Sequence, residues 1–389
     1  MPVKRIILTG GGTGGHITPL LAVAAKLKEQ DPNCYIIYIG ERNGKYAVMT
    51  AGNVHIDKTR TIFAGKFRRY HGESWIRRLF AIRTNLLNLR DSIFFLIGTL
   101  QSLVLIKRLR PDIILLKGGF VGVPVGLSAA FWHKPFITHD SDILPGLANR
   151  LVGRWARLHA TGMPPEYYQY PTANIRYVGV LVEEHYQSVS QERQIEYRDA
   201  IGVPIDSLVL LLTGGSGGAG TINTAFRKIL PELLEKYPNL YVVHQVGIGK
   251  GSIYDDFSHG RLQVHELLKP MYKYTGASDL VITRAGANTM AELGVQGRAS
   301  IVVPNPLLTG GHQLKNAEIW RGQAAARIVD EQQLKQGSRI FIDTICELLE
   351  NPAQRQSLGA NLQKLTVTDA ADKLAKLLLG SGSATDVKT

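Results

Sequence analysis

Residues 4–27 read KRIILTGGGTGGHITPLLAVAAKL, a short apolar strand that runs into a glycine cluster and then into a helix. The same succession returns at residues 207–230, which read SLVLLLTGGSGGAGTINTAFRKIL. Both clusters fit the pattern Gly-x-Gly-x-x-Gly, and its glycines are Gly10, Gly12, Gly15, Gly215, Gly217 and Gly220. A glycine loop that opens a helix lets backbone N–H groups approach a phosphate, and the helix dipole favours the anion there. One such loop is a weak signal, but two copies predict two similar α/β domains, each with its own phosphate-binding loop.

The length and the charge of the chain agree with this interpretation. At 389 residues the chain exceeds the usual size of a single hydrophobic core, so two domains are expected. It carries 45 Lys and Arg against 32 Asp and Glu, a net charge of +13, which points to an anionic partner such as nucleic acid, anionic lipid or a phosphorylated substrate. Most of this excess falls between Lys58 and Arg110, in the first domain.

Several classes of protein are not expected. The N-terminus MPVKRIILTGG lacks the apolar region of a signal peptide, and the longest uncharged apolar run, Ser92 to Ile106, is too short to span a membrane. The two cysteines, Cys34 and Cys346, are far apart in apolar segments. A disulfide or a metal site is therefore not expected, and a reducing cytoplasm fits.

Strand-like apolar runs alternate with helical segments along the chain, which predicts doubly wound parallel sheets with ligands beyond the carboxyl ends of the strands. The predicted strands are Arg5–Thr9, Tyr35–Ile39, Ile113–Leu116, Phe136–Thr138, Ile175–Val178, Leu208–Leu212, Tyr241–Gln245, Leu280–Thr283 and Ser300–Val303. The predicted division is a first domain at 1–180, a linker at 181–205, a second domain at 206–351, a C-terminal helix at 352–379 and a flexible tail at 380–389.

Polar residues of the first domain cluster where predicted strands end. His16 follows Gly14 and Gly15 at the start of a helix, where a near-neutral imidazole could act as a base toward a hydroxyl or serve only as a structural histidine. The sequence Thr138-His139-Asp140-Ser141-Asp142 follows another strand and precedes a helix. Ser141 or Asp142 could therefore be a helix N-cap, a role compatible with a second one in ligand binding.

The second domain offers groups suited to a nucleotide sugar. Ser216 sits among glycines, where its hydroxyl could join backbone N–H groups around a diphosphate. Glu292 lies early in a predicted helix and could accept hydrogen bonds from ribose hydroxyls, or could simply complement the helix dipole. The amide of Gln313 could both donate to and accept from sugar hydroxyls.

Apolar and basic residues interleave between Trp75 and Ile106. An amphipathic helix with a cationic border would lie on an anionic membrane surface, and the alternative is a long core helix flanked by solvated arginines. The residues predicted to face the membrane are Trp75, Arg77, Arg78, Leu79, Phe80, Phe94 and Phe95.

Six motifs together resemble a known family. In order they are GGTGGHITPLLAVA, KGGFVGVPVGLSAA, HDSDILPGLANRL, LLTGGSGGAGTIN, TRAGANTMAEL and VVPNP…GHQLKNA. They come in the order seen in the MurG family of UDP-N-acetylglucosamine transferases of peptidoglycan synthesis, and the match runs from Ile6 to about Ala326. The resemblance implies a GT-B fold: two Rossmann-like domains facing across a cleft, with the C-terminal helix crossing back to the first domain.

The resemblance also implies roles for individual residues. On the donor side, Ser216 would meet the phosphates, Leu268 the uracil through its backbone, Glu292 the ribose, and His312 with Gln313 the N-acetylglucosamine hydroxyls. His16 would help to deprotonate the attacking hydroxyl. The full donor-binding set is Thr13, Gly14, Gly15, Asp142, Glu183, Ser216, Leu268, Thr289, Glu292, His312 and Gln313, and the acceptor diphosphate set is Gly14, Gly15 and His139.

The implied reaction is an inverting transfer of N-acetylglucosamine from UDP-N-acetylglucosamine to position 4 of N-acetylmuramic acid on undecaprenyl diphosphate. The expected partners are this donor, this lipid-linked acceptor, the anionic cytoplasmic face of the cell membrane and other proteins of cell-wall synthesis, but no nucleic acid. No cofactor and no catalytic metal are expected, because transfer by enzymes with the GT-B fold usually needs no bound metal. The protein would be peripheral on the cytoplasmic side of the membrane.

This sequence departs from the family pattern at two charged positions. Asp142 replaces an amide that would contact the donor sugar, and Glu183 replaces a cation near the donor. They make a binding protein that has lost catalysis one alternative, and a related transferase with a diacylglycerol or another polyprenyl-diphosphate acceptor is a second. A third is a nicotinamide-dependent dehydrogenase, which would use the first glycine loop with an acid about twenty residues later. The dehydrogenase is disfavoured because its acidic residue should end the second strand, whereas Asp31 precedes that strand.

Overall fold

The computed structural model describes residues 3–12, 14–44, 50–68, 81–307, 311–335 and 339–380. The chain divides into two compact units. Unit 1 comprises Met1–Glu183 with Asp369–Thr389, and unit 2 comprises Glu184–Thr368. Each unit contains one parallel sheet covered by helices.

The sheet of unit 1 has seven parallel strands in the order β3-β2-β1-β4-β5-β6-β7. These strands are β1 (Arg5–Thr9), β2 (Tyr35–Glu41), β3 (Lys58–Ile62), β4 (Ile113–Leu116), β5 (Phe136–Asp140), β6 (Leu158–Thr161) and β7 (Ile175–Tyr177). The chain builds outward from β1 in one direction and then from β4 in the other, so the order reverses between β1 and β4. In such sheets ligands bind at this switch point, beyond the carboxyl ends of the strands.

The helices of unit 1 cover the sheet because its strands are apolar on both faces. They are α1 (Gly14–Gln30), α2 (Ile82–Leu109), α3 (Gly122–Phe131) and α4 (Leu147–Val152), joined by α13 (Ala370–Leu379) from the far end of the chain. Ile7, Ile114 and Phe136 are fully buried in this core. Burial of such side chains is the main source of stability for the sheet.

The sheet of unit 2 has six parallel strands in the order β10-β9-β8-β11-β12-β13. Its strands are β8 (Leu208–Thr213), β9 (Leu240–Gln245), β10 (Leu262–His265), β11 (Leu280–Thr283), β12 (Ser300–Val302) and β13 (Arg327–Ile328). Its helices are α5 (Gln191–Ala200), α6 (Gly220–Lys236), α7 (Met271–Ala277), α8 (Ala287–Gln296), α9 (His312–Gly322), α10 (Glu331–Lys335), α11 (Arg339–Glu350) and α12 (Pro352–Leu365). Both sheets are entirely parallel, which confirms the predicted doubly wound class.

Strand register brings the two glycine loops to their switch points. In unit 1, Thr9 pairs with Leu116, so the loop after β1 lies beside the residues that follow β4. In unit 2, Thr213 pairs with Thr283, so the loop after β8 lies beside the residues that follow β11. Each loop therefore occupies the part of its sheet where ligands of this fold class bind.

The second loop requires glycine for steric reasons. Gly218 has φ +64°, and a Cβ built there would lie 1.9 Å from the carbonyl oxygen of Val246. Any side chain would collide with the backbone that follows β9. The glycine thus permits a close backbone approach in addition to its unusual dihedral angle.

The domain bounds differ from those predicted in three places. Unit 1 extends to Glu183, and the predicted linker at 181–205 contains α5, which belongs to unit 2. The segment 352–379 is two helices rather than one: α12 lies in unit 2, and α13 lies in unit 1. Of the predicted tail, residues 381–389 fall outside the described part of the chain.

Helix α2 is long and apolar enough to cross a membrane when length and composition alone are considered. The uncharged run Ser92–Ile106, which alone is too short to span a membrane, is only the middle of this helix, which extends beyond the run at both ends. It also packs within unit 1: a Cβ built on Gly98 would lie 1.8 Å from the carbonyl oxygen of Phe63. Core helices of folded domains pass the same length test.

Candidate functional site

The first glycine loop places His16 in the first turn of α1, which begins at Gly14. The His16 ring is hydrogen-bonded to the backbone of Gly11. On its other side the chain after β4 approaches closely, since a Cβ built on Gly118 would lie 3.7 Å from His16 Nε2. Gly118 has φ +98°, a left-handed conformation that favours glycine. Two glycine turns thus flank the half-buried imidazole at the switch point of the sheet.

His16 is kept neutral by its surroundings. The pKa of its ring is lowered to about 4, first by desolvation and then by the positive charge of Lys117, while the hydrogen bond to Gly11 partly opposes both. A neutral imidazole can accept a proton, whereas an imidazolium cannot. The positive end of the α1 dipole also disfavours a second positive charge here. The ring is therefore in the state required of a general base at neutral pH.

A buried polar network follows β5 beside this loop. Asp140 accepts hydrogen bonds from Asn149 Nδ2 at 2.9 Å, from the Gly146 N–H at 3.1 Å and from the Tyr170 hydroxyl at 3.0 Å. Burial raises the pKa of the Asp140 carboxyl, while these donors and Lys117 lower it. The network fixes the turn between β5 and α4. The N-cap residue of α4 is Gly146, whose N–H is held by Asp140, so neither Ser141 nor Asp142 is the N-cap.

His139 is buried at the end of β5. Its side chain has no exposed surface, and its Nε2 lies 3.0 Å from the carbonyl oxygen of Gly179. Desolvation holds the pKa of this ring well below its usual value. The ring thus anchors the strand end, and its contact with an acceptor diphosphate remains a prediction.

Asp142 and Glu183, the two charged departures, both lie in unit 1 and are half-buried. The carbonyl oxygen of Asp142 accepts a hydrogen bond of 2.9 Å from the Tyr168 hydroxyl, and its carboxylate raises the pKa of Lys117. The negative charge of Asp142 thus stabilises the positive charge of Lys117. The predicted donor contacts of both residues remain predictions.

The second glycine loop presents Ser216 to solvent. Below it, Thr213 Oγ1 accepts hydrogen bonds from the Gly215 N–H at 3.2 Å and from Gln245 Nε2 at 3.0 Å. These bonds hold the loop on the end of β8 and leave the serine hydroxyl at the surface. The arrangement suits a diphosphate bound by backbone N–H groups with help from Ser216.

The backbone of Leu268 is held by a residue that the sequence did not single out. The Leu268 N–H donates to Gln245 Oε1 at 2.8 Å, and its side chain is buried. Because the N–H is already engaged, the carbonyl oxygen is the better candidate for the predicted base contact. Gln245 ends β9 and bridges Thr213 to Leu268, two residues far apart in sequence.

The remaining residues predicted to bind the sugar donor lie on two helices that follow β11 and β12. Thr289 and Glu292 lie in the first six residues of α8, and both are half-buried. Gln313 lies in the first turn of α9 beside the half-buried His312, and Gln313 Oε1 accepts the Asn305 N–H at 2.8 Å. Gln313 is buried, and this bond fixes the orientation of its amide, so its contact with sugar hydroxyls remains a prediction.

Unit 1 does contain an acid at the end of its second strand, since β2 extends to Glu41. Tyr38 lies against the first glycine loop with its hydroxyl donating to the Gly10 carbonyl at 2.7 Å, and Gly12, Tyr38 and Glu41 line a cavity beside the loop. The acid that a dehydrogenase would need is thus Glu41 rather than Asp31, and the choice between the two families rests on the comparisons with known proteins.

The predicted membrane face is only partly described. Of the residues predicted to face the membrane, five lie outside the described residues: Trp75, Arg77, Arg78, Leu79 and Phe80. Thr13 of the first glycine loop also lies outside them. Phe94 and Phe95 are half-buried, with ring centroids 5.1 Å from Phe63 and 6.1 Å from Phe67 respectively. The large apolar side chains that α2 exposes are instead Ile82, Leu86, Leu89, Ile93, Leu96, Ile97, Leu100 and Val104.

No group of three or more His, Cys, Asp or Glu side chains suited to a metal ion occurs within the described ranges. Cys34 and Cys346 are both free thiols.

Comparison with known proteins agrees with this geometry. Residues 6–161 match the glycosyltransferase family 28 N-terminal domain, and residues 209–374 match the glycosyltransferase family 28 C-terminal domain. A protein of Lachnospira eligens named UDP-N-acetylglucosamine–N-acetylmuramyl-(pentapeptide) pyrophosphoryl-undecaprenol N-acetylglucosamine transferase is 31% identical over 380 residues, covering 97% of this chain and 99% of that protein. A protein of the same name from Lachnoclostridium phytofermentans is 31% identical, covering 97% and 98%.

A solved structure shows the same fold. The crystal structure of MurG from Acinetobacter baumannii superposes with a TM-score of 0.69 at 22% identity, covering 97% of this chain and 99% of that one. The two parallel-sheet units, the paired glycine loops and the near full-length relatives lead to one conclusion. The chain belongs to the MurG family of UDP-N-acetylglucosamine transferases and has the GT-B fold of glycosyltransferase family 28.

Proposed function

We propose that this protein transfers N-acetylglucosamine from UDP-N-acetylglucosamine to the 4-hydroxyl of N-acetylmuramic acid in undecaprenyl-diphosphate-linked lipid I, giving lipid II. The names of relatives that match nearly the whole chain support this reaction. The observation that carries it is the neutral His16 ring in the first turn of α1, held at the switch point of unit 1. The predicted cleft between the two domains remains a prediction.

His16 acts as the general base in this proposal. Its neutral ring takes the proton of the acceptor's 4-hydroxyl while that oxygen bonds to the anomeric carbon of the donor. The bond from the anomeric carbon to the UDP oxygen breaks as the new bond forms, so the configuration inverts and UDP leaves with the electron pair. Gly14 and Gly15 open α1, and the positive end of this helix suits the diphosphate of the lipid acceptor.

Unit 2 holds the donor in this proposal. Ser216 and the glycine loop receive the diphosphate, where developing negative charge on the leaving UDP is stabilised by backbone N–H groups. The Leu268 carbonyl contacts the uracil, Glu292 accepts from the ribose hydroxyls, and Gln313 Nε2 donates to the sugar. His312 and Thr289 lie in the first turns of the helices that frame these groups.

We also propose that unit 1 docks on the cytoplasmic face of the membrane through α2, as a peripheral protein. Its exposed apolar side chains follow one another at helical spacing, and basic residues border them at Arg83, Arg90, Lys107 and Arg108. An apolar stripe between cationic ends suits an anionic lipid surface, where a lipid-linked acceptor resides.

The test is a transfer assay with purified protein, radiolabelled UDP-N-acetylglucosamine and lipid I in detergent. We expect lipid II as the product and a loss of about 10²- to 10⁴-fold in kcat/KM for His16→Ala. His259→Ala is the matched control, because His259 is exposed in unit 2 and should leave the rate unchanged. A fully active His16→Ala contradicts the assignment of the base.

The alternatives are separated by the same assay. UDP-glucose and UDP-galactose replace the donor in one series, and diacylglycerol or undecaprenyl diphosphate carrying another sugar replaces the acceptor in a second. Transfer only to such an acceptor favours the related transferase. If no UDP-sugar is transferred to any lipid while UDP-N-acetylglucosamine still binds, the protein is a binding protein rather than an enzyme.

A further inference from the structure

Lys117 is a buried cation at the switch point of unit 1. It directly follows β4, and its backbone N–H donates to the Thr9 carbonyl at 2.9 Å. Only 4% of the residue is exposed, and Nζ donates to Ser141 Oγ at 2.8 Å. An ammonium group taken out of water loses much of its hydration, and a single neutral hydroxyl does not replace it. A purely structural contact here could be made by an uncharged side chain.

Two carboxylates and two imidazoles surround this ammonium. Asp140 and Asp142, on β5 and the turn after it, are the acids that act on Lys117. His16 on α1 and His139 on β5 are the rings on which its charge acts. Asp140 is itself held by neutral donors, from Asn149, Gly146 and Tyr170.

The backbone after Lys117 connects this cluster to the His16 ring. A Cβ built on Gly118 would lie 3.7 Å from His16 Nε2 and 3.9 Å from Asn149 Nδ2. Lys117 itself lies against the first loop, because a Cβ built on Gly10 would lie 3.3 Å from Lys117 Cβ. The lysine is thus packed between the loop that presents His16 and the turn that begins at Ser141.

We infer that Lys117 is a positioning residue of the transfer reaction, whose buried ammonium holds the Ser141 turn in place and fixes the charge state of the His16 ring. The inference rests on the proposed function, in which His16 is the base. The role of Lys117 is electrostatic: it makes a second positive charge on the neighbouring ring unfavourable, so that the resting ring carries no proton on its accepting nitrogen at neutral pH.

The directions of the pKa shifts agree with this role. Lys117 lowers the pKa of both His16 and His139. The pKa of Lys117 itself is lowered to about 8, because the effect of burial outweighs that of Asp140 and Asp142, which raise it. The lysine therefore stays largely protonated at neutral pH, where its charge can act on the ring.

The test is an NMR titration of the His16 ring in protein labelled at histidine, with the resonance assigned by its loss in His16→Gln. In Lys117→Met we expect the pKa of His16 to rise by about one unit or more, because a nearby positive charge is removed. In Lys117→Arg and Ser141→Ala the pKa should stay close to that of the unaltered protein, since both keep a cation beside the ring. In Lys117→Met, the pH below which kcat/KM falls should rise by the same amount as the pKa of His16.

An unchanged His16 pKa in folded Lys117→Met overturns the inference, and so does an equal rise in Lys117→Arg. The unaltered protein provides a measurement that needs no variant to fold: the neutral His16 resonance should show a second inflection near pH 8 as Lys117 loses its proton. A resonance that does not change between pH 7 and pH 9 also overturns it. Since the titration reads the ring directly, it stays decisive even if an active His16→Ala shows the proposed base to be wrong.

Discussion

Arg284 and Glu331 form a two-pronged ion pair inside unit 2, with Nη1 3.1 Å from Oε2 and Nη2 3.2 Å from Oε1. The two side chains are only 13% and 8% exposed. Arg284 Nη1 also donates to the Val303 carbonyl at 3.2 Å. The pair therefore joins the end of β11 to α10 and to the chain that leads from β12 toward Gln313.

Removal of Glu331 should destabilise unit 2. Glu331→Ala leaves the Arg284 charge buried without its partner, and we expect a loss of about 3–5 kcal/mol in the free energy of unfolding. The control is Glu347→Ala, since the Arg327–Glu347 pair is 42% and 49% exposed and exposed pairs contribute about 0–1 kcal/mol. Urea unfolding followed by circular dichroism measures both. Equal losses in the two variants contradict the argument from burial.

Removal of Gln245 should weaken donor binding. Gln245→Ala frees the Leu268 N–H and the Thr213 hydroxyl from their shared partner, so the uracil and diphosphate sites lose their common support. We expect KM for UDP-N-acetylglucosamine to rise by about five- to tenfold, the equivalent of one hydrogen bond. Gln263→Ala is the control, because Gln263 bonds to Gly202 and Tyr241 instead. An effect of the same size in the control counts against the prediction.

The exposed face of α2 can be tested on lipid vesicles. Leu96 and Leu100 are 62% and 64% exposed in the uncharged middle of the stripe. We expect Leu96→Glu with Leu100→Glu to reduce sedimentation with anionic vesicles by about tenfold or more, since apolar contact is lost and negative charge is added. Ile248→Glu, at a 63% exposed position in unit 2, should sediment like the unaltered protein. Undiminished binding of the double variant excludes this face.

A methyl group on Gly98 should detach α2 from unit 1. The collision of the new Cβ with the Phe63 carbonyl, at 1.8 Å, cannot be relieved without moving backbone. Gly98→Ala should therefore cost about 3 kcal/mol or more, at the upper end for overpacked sites. Gly122→Ala in α3 meets no atom within 4 Å, and it should be neutral or stabilising because alanine favours helix. Thermal unfolding of the two variants gives the comparison.

Stability should fall in mild acid. Burial lowers the pKa of His16 and His159 to about 4 and that of His244 to about 3, and it also lowers the pKa of His139. The unfolded chain therefore binds more protons than the folded protein between these values and the ordinary pKa of 6.5, so the free energy of unfolding decreases as pH drops below about 6.5. Melting temperatures at pH 7.5, 6.0 and 5.0 measure the slope. His159→Gln removes one of these groups and should make it shallower.

Most interior strands could be predicted from sequence because they are apolar on both faces, and β1, β4 and β11 have the predicted bounds. The edge strands β3, β10 and β13 were missed, because an edge strand buries less of its surface and carries polar residues, as in the sequence KTRTI of β3. The interior strand β6 was missed too, because its sequence LHAT includes a histidine and a threonine. The extension of β2 to Glu41 was missed for a related reason. Its last two residues, Gly and Glu, do not continue the apolar run.

The candidate site also contains residues that the sequence reveals and residues that only the fold reveals. The glycine loops and His16 could be found because their signal is local in the sequence. Gln245 and Lys117 act through partners 23 and 24 residues away, Leu268 and Ser141, and only the fold brings these together. The depth of His139 depends on β7 and the residues after it, which no pattern around His139 reveals.

The attachment of α13 to α1 has a consequence for the order of folding during synthesis. Lys4 Nζ donates to the Leu379 carbonyl at 2.6 Å, and Gln30 Nε2 donates to Asp372 Oδ1 at 2.7 Å, so the last described helix is attached to the residue before β1 and to the C-terminal end of α1. On the ribosome, all of unit 2 emerges before α13 does. The face of α1 that packs against α13 therefore stays exposed until unit 2 has been translated. The packing around the helix that carries His16 is completed only when α13 has been synthesised.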